Sequence, residues 1–250
     1  MPVNRGAGNL VDGWLGRIER WLYPPCCILC GGAGGRRDLC AGCERDLPWN
    51  DEACPLCALP VPGRGGVACG RCLARPPLWE AAFSLLRYAY PADGAIKSLK
   101  YGPRLAVGRV LGEMMAERLA GRALPAVIVP VPLHPVRERE RGFNQATEIA
   151  RPIAAALGLV LDAGLCRRVR ATPSQSALDR RTRARNLRGA FVLRRALDAD
   201  EIAIVDDVVT TGATAAALAQ TLRRAGARRV EIWSAARAVL PSRRQSAVKV

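Results

Sequence analysis

The sequence predicts an α/β protein in which a parallel sheet is preceded by a small cysteine-rich domain. Four C-x-x-C pairs lie between residues 27 and 72, and only one cysteine follows them. After residue 76, short apolar runs alternate with longer segments of helical periodicity, which is the pattern of β-α-β units and of a parallel sheet. The 250 residues suffice for one sizeable domain and one small domain.

The first predicted element is a short amphipathic helix within residues 1–23. Its apolar residues recur at helical spacing and are Leu10, Trp14, Ile18, Trp21 and Leu22. Charged residues interrupt this segment, unlike a secretory signal, and no apolar run in the chain reaches the ~18 residues of a membrane span. We therefore expect a cytoplasmic protein with no membrane span.

The cysteine pairs predict two zinc sites in a domain that spans residues 24–76. Each C-x-x-C pair can place two thiolates on one ion, and two pairs complete a tetrahedral sulfur site. Sequential pairing gives one site from Cys27, Cys30, Cys40 and Cys43 and a second from Cys54, Cys57, Cys69 and Cys72, while cross-braced pairing stays open. Because protein ligands would fill both sites, we expect about two structural zinc ions. Cys26 and Cys166 remain outside both sites.

The larger domain is predicted to span residues 77–240, followed by a tail at 241–250. Its predicted strands cover residues 82–90, 126–131, 189–193, 201–206 and 229–235. Its predicted helices cover residues 104–120, 143–158 and 212–225. Ligands of parallel α/β sheets bind beyond the carboxyl ends of the strands, so the residues that follow these strands are the candidates for a site.

One stretch combines a predicted strand with groups that suit a phosphorylated sugar. In "EIAIVDDVVTTGAT" (201–214), an apolar run ends in Asp206 and Asp207, and a Thr-Thr-Gly turn at 210–212 opens an alanine-rich helix. A helix start offers amide donors that favour phosphate, and threonine hydroxyls can add hydrogen bonds. The carboxylates repel phosphate, but they can accept hydrogen bonds from sugar hydroxyls or help to hold a divalent cation. A ribose 5-phosphate meets both demands.

This stretch resembles the phosphoribosyl-pyrophosphate signature of the type I phosphoribosyltransferases. The resemblance implies the parallel-sheet fold of those enzymes and a ligand, phosphoribosyl pyrophosphate, that binds together with Mg²⁺. It further implies that Asp206 and Asp207 hold the ribose. The positions that would hold the 5-phosphate are Thr210, Thr211, Gly212, Ala213 and Thr214.

Type I enzymes also carry a pyrophosphate loop after an earlier buried strand. Here "VPVPLHPVRERERGFNQ" (129–145) follows such a strand and makes Arg139 and Arg141 candidates for contact with pyrophosphate. A solvated basic loop is the alternative, because glutamates interleave with these arginines. The single histidine, His134, lies in the same segment and suits a structural role as well as a catalytic one. No general base is identifiable.

A third feature of these enzymes is a flexible loop that closes over the active site. Residues 167–195 suit that role, because they contain ten arginines and one acid, and a cationic lid would stabilise a departing pyrophosphate. A basic surface for nucleic acid would have the same composition. Lys100 and Arg181 are weaker candidates for contact with the ligand.

The order of motifs along the chain is similar to that of the ComF/GntX family, the competence protein F type, over residues 21–237. The cysteine pairs are followed by "SLKYGPR" (98–104), by the segment 129–145, by a Q-x-x-L-x-x-R motif and by the signature at 201–214. The Q-x-x-L-x-x-R motif and a following asparagine comprise Gln175, Leu178, Arg181 and Asn186. The resemblance implies a phosphoribosyltransferase-like protein with a double zinc ribbon, linked to DNA uptake in natural transformation.

Two functions follow as expectations. In the first, the protein is an enzyme that binds phosphoribosyl pyrophosphate with Mg²⁺ and transfers the ribosyl group to an unidentified acceptor. In the second, the site is a non-catalytic sensor, and the zinc ribbons and arginines bind single-stranded DNA beside other competence proteins. The formal net charge of +16 fits a polyanionic or phosphorylated partner, whereas an aromatic content of 5% offers few platforms for stacking bases.

Overall fold

A computed structural model describes residues 24–102, 104–170, 187 and 189–239. The predicted N-terminal helix, the motif residues Gln175, Leu178, Arg181 and Asn186, and the tail at 241–250 lie outside the described residues. The chain divides into two compact units, the first ending at Asp46 and the second beginning at Leu47. The second cysteine cluster therefore shares a compact unit with the sheet.

The described part of the first unit is organised around tight turns. Helix α1 spans Ala41–Arg45, and the Cys40 side chain caps it by accepting a hydrogen bond from the amide of Cys43. Main-chain hydrogen bonds close the loops on either side, including one of 2.9 Å from the amide of Ile28 to the carbonyl of Asp38. These bonds bring the two C-x-x-C pairs of this unit together.

The second unit contains a five-stranded sheet in which every neighbouring pair of strands is parallel. Its strands are β1 (Ala81–Arg87), β2 (Val127–Pro130), β3 (Val160–Leu161), β6 (Glu201–Val209) and β7 (Arg229–Arg237). The order across the sheet is β1-β7-β6-β2-β3. Strands β4 (Cys166–Arg168) and β5 (Phe191–Leu193) form a separate antiparallel pair. The predicted parallel α/β fold is confirmed.

Helices of the second unit lie between these strands along the chain. They are α2 (Gly70–Ala74), α3 (Ala92–Tyr101), α4 (Leu105–Leu119), α5 (Pro135–Arg141), α6 (Gln145–Leu157) and α7 (Ala213–Arg224). Helices α4 and α6 pack so closely at Gly112 that an added Cβ would collide with the carbonyl oxygen of Ile149. The central strand β6 is buried from Ile202 to Val205, which anchors the sheet in the core.

The structure corrects four sequence predictions. The strand predicted at 189–193 pairs with β4 outside the main sheet. The strand predicted to end at residue 206 continues to Val209, and the one predicted to end at 235 continues to Arg237, since each remains paired with the other. The segment predicted as a loop after β2 contains helix α5, because a proline at the first turn and a run of Arg and Glu favour a helix.

Helix α3 has no counterpart among the predicted elements. Its buried residues recur at helical spacing, but two glycines and a proline lie in or beside the segment and obscure the pattern. It places Lys100 near the carboxyl end of β6. Among the described residues, no helix is both long enough and apolar enough to cross a lipid bilayer.

Candidate ligand site at the carboxyl edge of the sheet

The two adjacent acids lie where β6 extends past its neighbour β2. The last residue of β2 that pairs with β6 is Pro130, opposite Val205, so Asp206 and Asp207 lie past the end of β2, where β6 remains paired with β7. Oδ1 of Asp206 accepts a hydrogen bond of 2.9 Å from the amide of Asp207. Oδ1 of Asp207 accepts one of 2.7 Å from the amide of Val208. These bonds orient the two side chains.

Lys100 faces this pair of acids. Its Nζ lies 2.8 Å from Oδ2 of Asp207, and the side chains are 25% and 14% exposed. Burial alone would lower the pKa of Lys100, but the charges of Asp207 and Asp206 raise it above its ordinary value. Burial and the neighbouring charge of Asp207 raise the pKa of Asp206, against the opposing effect of Lys100. The site therefore holds carboxylates that a cationic ligand group or a metal ion would stabilise.

The turn at residues 210–212 leads from β6 into helix α7. Gly212 has φ of +78°, a left-handed conformation that favours glycine, and it precedes the first helical residue, Ala213. Thr211 Oγ1 accepts a hydrogen bond of 3.3 Å from the amide of Ala213. Thr210 and Thr214 flank this turn. The first amides of a helix have no acceptor within the helix, so α7 starts with donors directed beyond its end.

A cationic cavity of about 500 Å³ adjoins Lys100. Arg137, Arg141 and Glu140 of α5 line it together with Tyr101. The two arginines are four residues apart and therefore lie on one face of the helix. Arg141 donates a hydrogen bond of 3.0 Å to Gln145, and its guanidinium stands 5.7 Å from the centre of the Tyr101 ring.

Of the two arginines singled out from the sequence, the structure brings only Arg141 to this cavity. Arg139 is exposed and does not line it. Arg137 takes the corresponding place, and sequence reasoning missed it because it treated the segment as a loop. The i, i+4 spacing of Arg137 and Arg141 was the available signal. His134 caps α5, with Nδ1 accepting a hydrogen bond of 3.4 Å from the amide of Val136, which favours the structural role.

Arg168 is a further cation at this edge. Burial and the charge of Arg137 lower its pKa, while Asp206 opposes that shift, so electrostatic interactions connect all three groups. Its guanidinium also stands 5.8 Å from the centre of the Phe191 ring across the β4–β5 pair. It belongs to the segment 167–195, whose described residues thus contribute at least one partly buried arginine beside the acids.

The cysteines form two clusters in sequential order. Cluster 1 comprises Cys27, Cys30, Cys40 and Cys43, cluster 2 comprises Cys54, Cys57, Cys69 and Cys72, and within each all four sulfur atoms lie within 4.8 Å of one another. Sulfur atoms at about 2.3 Å from a tetrahedral zinc ion stand about 3.8 Å apart. The Sγ–Sγ distances of 3.9 Å in cluster 1 and 3.7 Å in cluster 2 match that edge. Both clusters fit a structural zinc ion.

Known proteins resemble both the cysteine-rich region and most of the rest of the chain. Residues 18–73 match the double zinc ribbon domain. A protein named DNA utilization protein YhgH from Salmonella typhi is 40% identical over 78% of this chain and 88% of its own length. Its counterpart in Escherichia coli K12 is 38% identical over 84% and 96%. Competence protein F from Haemophilus influenzae is 29% identical over 85% and 96%.

Solved structures similar to this chain include two phosphoribosyltransferases. An adenine phosphoribosyltransferase from Thermoanaerobacter pseudethanolicus is 18% identical over 54% of this chain and 82% of its own, with a TM-score of 0.33. A hypoxanthine phosphoribosyltransferase from Staphylococcus aureus is 11% identical over 60% and 76%, with a TM-score of 0.30. At scores this low the likeness carries no argument about function.

Proposed function

Since this chain belongs to the ComF family, which includes competence protein F, we propose that it binds phosphoribosyl pyrophosphate with Mg²⁺ and transfers the ribosyl group to an acceptor. One observation carries the proposal. At the carboxyl edge of the sheet, Asp206 and Asp207 lie between a turn that opens a helix and a group of cations. A ribose with a phosphate at one end and a pyrophosphate at the other is complementary to that sequence of charges.

In this assignment the ligand is bound in three parts. The 5-phosphate accepts hydrogen bonds from the start of α7, at Thr210, Thr211, Gly212, Ala213 and Thr214. Asp206 and Asp207 accept hydrogen bonds from the ribose hydroxyls, and Oδ2 of Asp207 pairs with Lys100 before the ligand arrives. Lys100, Arg137, Arg141 and Arg168 provide positive charge for the pyrophosphate. Arg139, exposed on the other side of α5, stays a weaker prediction for the same role.

Mg²⁺ suits this site chemically, because a hard cation prefers carboxylate and phosphate oxygens as ligands. Asp206 and Asp207 are the residues that would share it with the oxygens of the ligand, and it would neutralise part of the pyrophosphate charge. The ion pair between Lys100 and Asp207 can exchange partners as that ligand arrives, since the ammonium then gains phosphate oxygens.

Transfer breaks the bond between C1 of the ribose and the pyrophosphate oxygen, and the acceptor nucleophile then forms a bond to C1. The electron pair of the broken bond leaves with pyrophosphate, so negative charge grows on the leaving group while positive charge grows at the ring. The chain's contribution is to position the sugar and to stabilise the departing pyrophosphate with preorganised cations. The acceptor loses a proton as its bond to C1 forms, and the departing pyrophosphate or the solvent takes up that proton.

Calorimetry and thermal unfolding test the binding step. Phosphoribosyl pyrophosphate with Mg²⁺ is expected to raise the melting temperature of the protein, because a ligand that binds only the folded state stabilises it. The double variant Asp206→Asn with Asp207→Asn is expected to lose the shift. Glu201→Gln is the matched control, since Glu201 is an acid on the same strand whose carboxylate pairs with Arg229 at 3.3 Å. A wild-type protein that shows no shift would contradict the proposal.

A second function is favoured by the names of the relatives, DNA utilization protein and competence protein, and by the net charge of +16. In it, the site senses a phosphoribosyl ligand without turnover, and the basic surface binds single-stranded DNA. Release of pyrophosphate on addition of purines, pyrimidines, amines or ammonia would favour the enzyme. Binding of single-stranded DNA that weakens steeply with salt, without pyrophosphate release, would favour this second function.

A further inference from the structure

A buried arginine connects cysteine cluster 2 with the turn after β6. Arg237 is the last residue of β7 and is only 1% exposed. Its Nε donates a hydrogen bond of 2.8 Å to the carbonyl of Cys57. Its Nη1 donates to the carbonyl of Val209 at 2.8 Å and to that of Thr210. One guanidinium therefore bonds to a cluster residue, to the last residue of β6 and to the first residue of the turn.

The energetics of burial make these bonds hard to replace. Arg237 stays charged at any physiological pH, and a buried charge is costly unless hydrogen bonds compensate for lost hydration. Burial lowers its pKa, with a partly compensating effect from Cys57. The carbonyls it contacts belong to the main chain, so their positions depend on how the two loops are held. The loop at 54–57 contains two of the four cysteines of cluster 2.

Trp79 makes a second connection between the same two regions. Its indole Nε1 donates a hydrogen bond of 2.6 Å to the carbonyl of Leu56, inside the same loop. Its ring packs against Gly212, where an added Cβ would stand 3.4 Å from the ring atom Cη2. Between the two regions lies a cavity of about 630 Å³, lined in part by Cys57, Thr211 and Arg237.

We propose that zinc at cluster 2 sets the conformation of the turn at residues 209–213 and that Arg237 is the positioning residue through which it acts. With zinc bound, the loop at 54–57 is fixed and the carbonyl of Cys57 holds Nε of Arg237. Without zinc, that carbonyl moves, the guanidinium must find other acceptors, and the carbonyls of Val209 and Thr210 lose a donor. The last consequence, weaker phosphate binding, rests on the proposed function, whereas the conformational coupling does not.

Hydrogen exchange in the ligand-free protein tests the coupling. Cys69→Ser removes a ligand from cluster 2, and Cys40→Ser is the matched control in cluster 1, because both cysteines are half-buried and each precedes the first residue of a five-residue helix. Each variant is expected to lose one zinc ion, measured by metal analysis. Only Cys69→Ser is expected to speed exchange of the 209–213 amides, by about tenfold or more, while Cys40→Ser stays within about twofold of wild type.

The coupling is overturned if Cys69→Ser loses its zinc ion and leaves the exchange of the 209–213 amides unchanged, or if both variants change that exchange equally. Failure of the proposed function looks different. In that case phosphoribosyl pyrophosphate does not bind the wild-type protein, yet the difference in exchange between the two variants persists.

Arg237→Lys separates the positioning role from zinc binding. Lysine keeps the charge but cannot bridge the carbonyls of Cys57 and Val209 with separate donors of a planar guanidinium. We expect full zinc content, faster exchange at 209–213 and about tenfold weaker phosphoribosyl pyrophosphate binding. Arg229→Lys, at the other end of β7, is the control and is expected to match wild type. Normal exchange at 209–213 in folded Arg237→Lys would remove Arg237 from the proposal.

Discussion

The two cysteine clusters have the same ligands but different surroundings. Cluster 1 has one buried cysteine, and Cys30 is exposed, whereas three of the four cysteines in cluster 2 are buried. The described contacts around cluster 1 include short-range turns and an ion pair between Arg37 and Glu44 at 3.4 Å. Cluster 2 lies in the unit of the sheet, and its loop at 54–57 bonds to residues of β1 and β7.

The difference teaches that one metal chemistry can serve two structural purposes. Around cluster 1, a zinc ion would substitute for a hydrophobic core that so short a segment cannot form. Around cluster 2, the ion would also hold a loop whose main-chain carbonyls accept hydrogen bonds from the larger fold. The carbonyl of Pro55, for example, accepts a bond of 2.7 Å from the amide of Ala82 in β1.

The largest expected effect is on the melting temperature, when one cysteine ligand is removed from either cluster. Cys54→Ser affects a sulfur in a residue that is fully buried, and Cys30→Ser affects an exposed one. Loss of a structural metal is among the few single changes that cost more than about 4 kcal/mol. We expect the main thermal transition of Cys54→Ser to fall by more than about 10 °C, and that of Cys30→Ser to change by a few degrees at most.

Differential scanning calorimetry with zinc analysis of both variants makes this measurement. Equal losses of melting temperature in Cys54→Ser and Cys30→Ser would abolish the distinction between the clusters. A cadmium- or cobalt-substituted protein supplies a control, because thiolate coordination of either metal is visible in the ultraviolet or visible spectrum.

The next effect is a gain in stability, and it concerns the two acids in the same compact unit as cluster 2. Burial and the charge of Asp207 raise the pKa of Asp206, with Lys100 opposing. The folded protein therefore holds this proton more tightly than the unfolded chain does, and stability is lost as pH rises above the ordinary carboxyl value of about 4. We expect Asp206→Asn to be more stable than wild type by about 1–2 kcal/mol at pH 8.

Urea unfolding across a pH series measures this difference, which should vanish below pH ~4, where both states of the wild type are protonated. Glu201→Gln should lack such a pH-dependent gain. A folded Asp206→Asn that is less stable than wild type at pH 8 would contradict the expectation. A gain in stability with loss of ligand binding would identify the acids as residues that serve function at a cost in stability.

A smaller effect is expected from the contact between cluster 2 and Trp79. Trp79→Phe removes the indole donor to the carbonyl of Leu56 while it keeps an aromatic ring, and one hydrogen bond of this kind contributes about 1 kcal/mol. Trp49→Phe is the control, because the ring of Trp49 stacks with Arg118 at 4.5 Å, an arrangement that phenylalanine retains. Denaturant midpoints of the two variants compare the contacts, and a larger loss in Trp49→Phe would be inconsistent with this ranking.

The smallest effect is expected in cluster 1. Glu44→Gln removes the ion pair with Arg37, in which the Arg37 and Glu44 side chains are 9% and 37% exposed, and pairs with a solvent-accessible partner contribute about 0.2–1 kcal/mol. The variant should retain zinc at cluster 1 in a chelator competition to within about twofold of wild type. A loss of zinc comparable with that of Cys30→Ser would mean that side chains other than the ligands support this cluster.

Local patterns accounted for much of this molecule. The C-x-x-C spacing predicted the eight ligands, and the structure shows the sequential one of the two pairings that the spacing left open. The alternation of apolar runs predicted the parallel sheet. The Thr-Thr-Gly turn was located from sequence because glycine and small residues there follow local rules of helix starts. The predicted roles of Asp206, Asp207 and Thr210 through Thr214 remain predictions for the experiments above.

Long-range contacts were beyond those patterns. Nothing local indicates that Arg237 is buried, because its acceptor Cys57 stands 180 residues earlier in the sequence. An arginine after an apolar run resembles the exposed end of a strand, so the strand prediction stopped two residues too early. Arg137 was missed for a different reason: the choice between loop and helix decides which arginines share a face, and α5 lies where a loop was expected.

The hydrogen bonds of Arg237 also limit which mutations the loop between Cys54 and Cys57 can accept during evolution. They reach main-chain oxygen atoms, and a main-chain oxygen is present whatever side chain its residue has. Residues 55 and 56 can therefore vary in identity, provided that the turn keeps its path. An insertion or deletion between Cys54 and Cys57 would displace the oxygen itself. We expect relatives to tolerate substitutions in this loop far more readily than changes of its length.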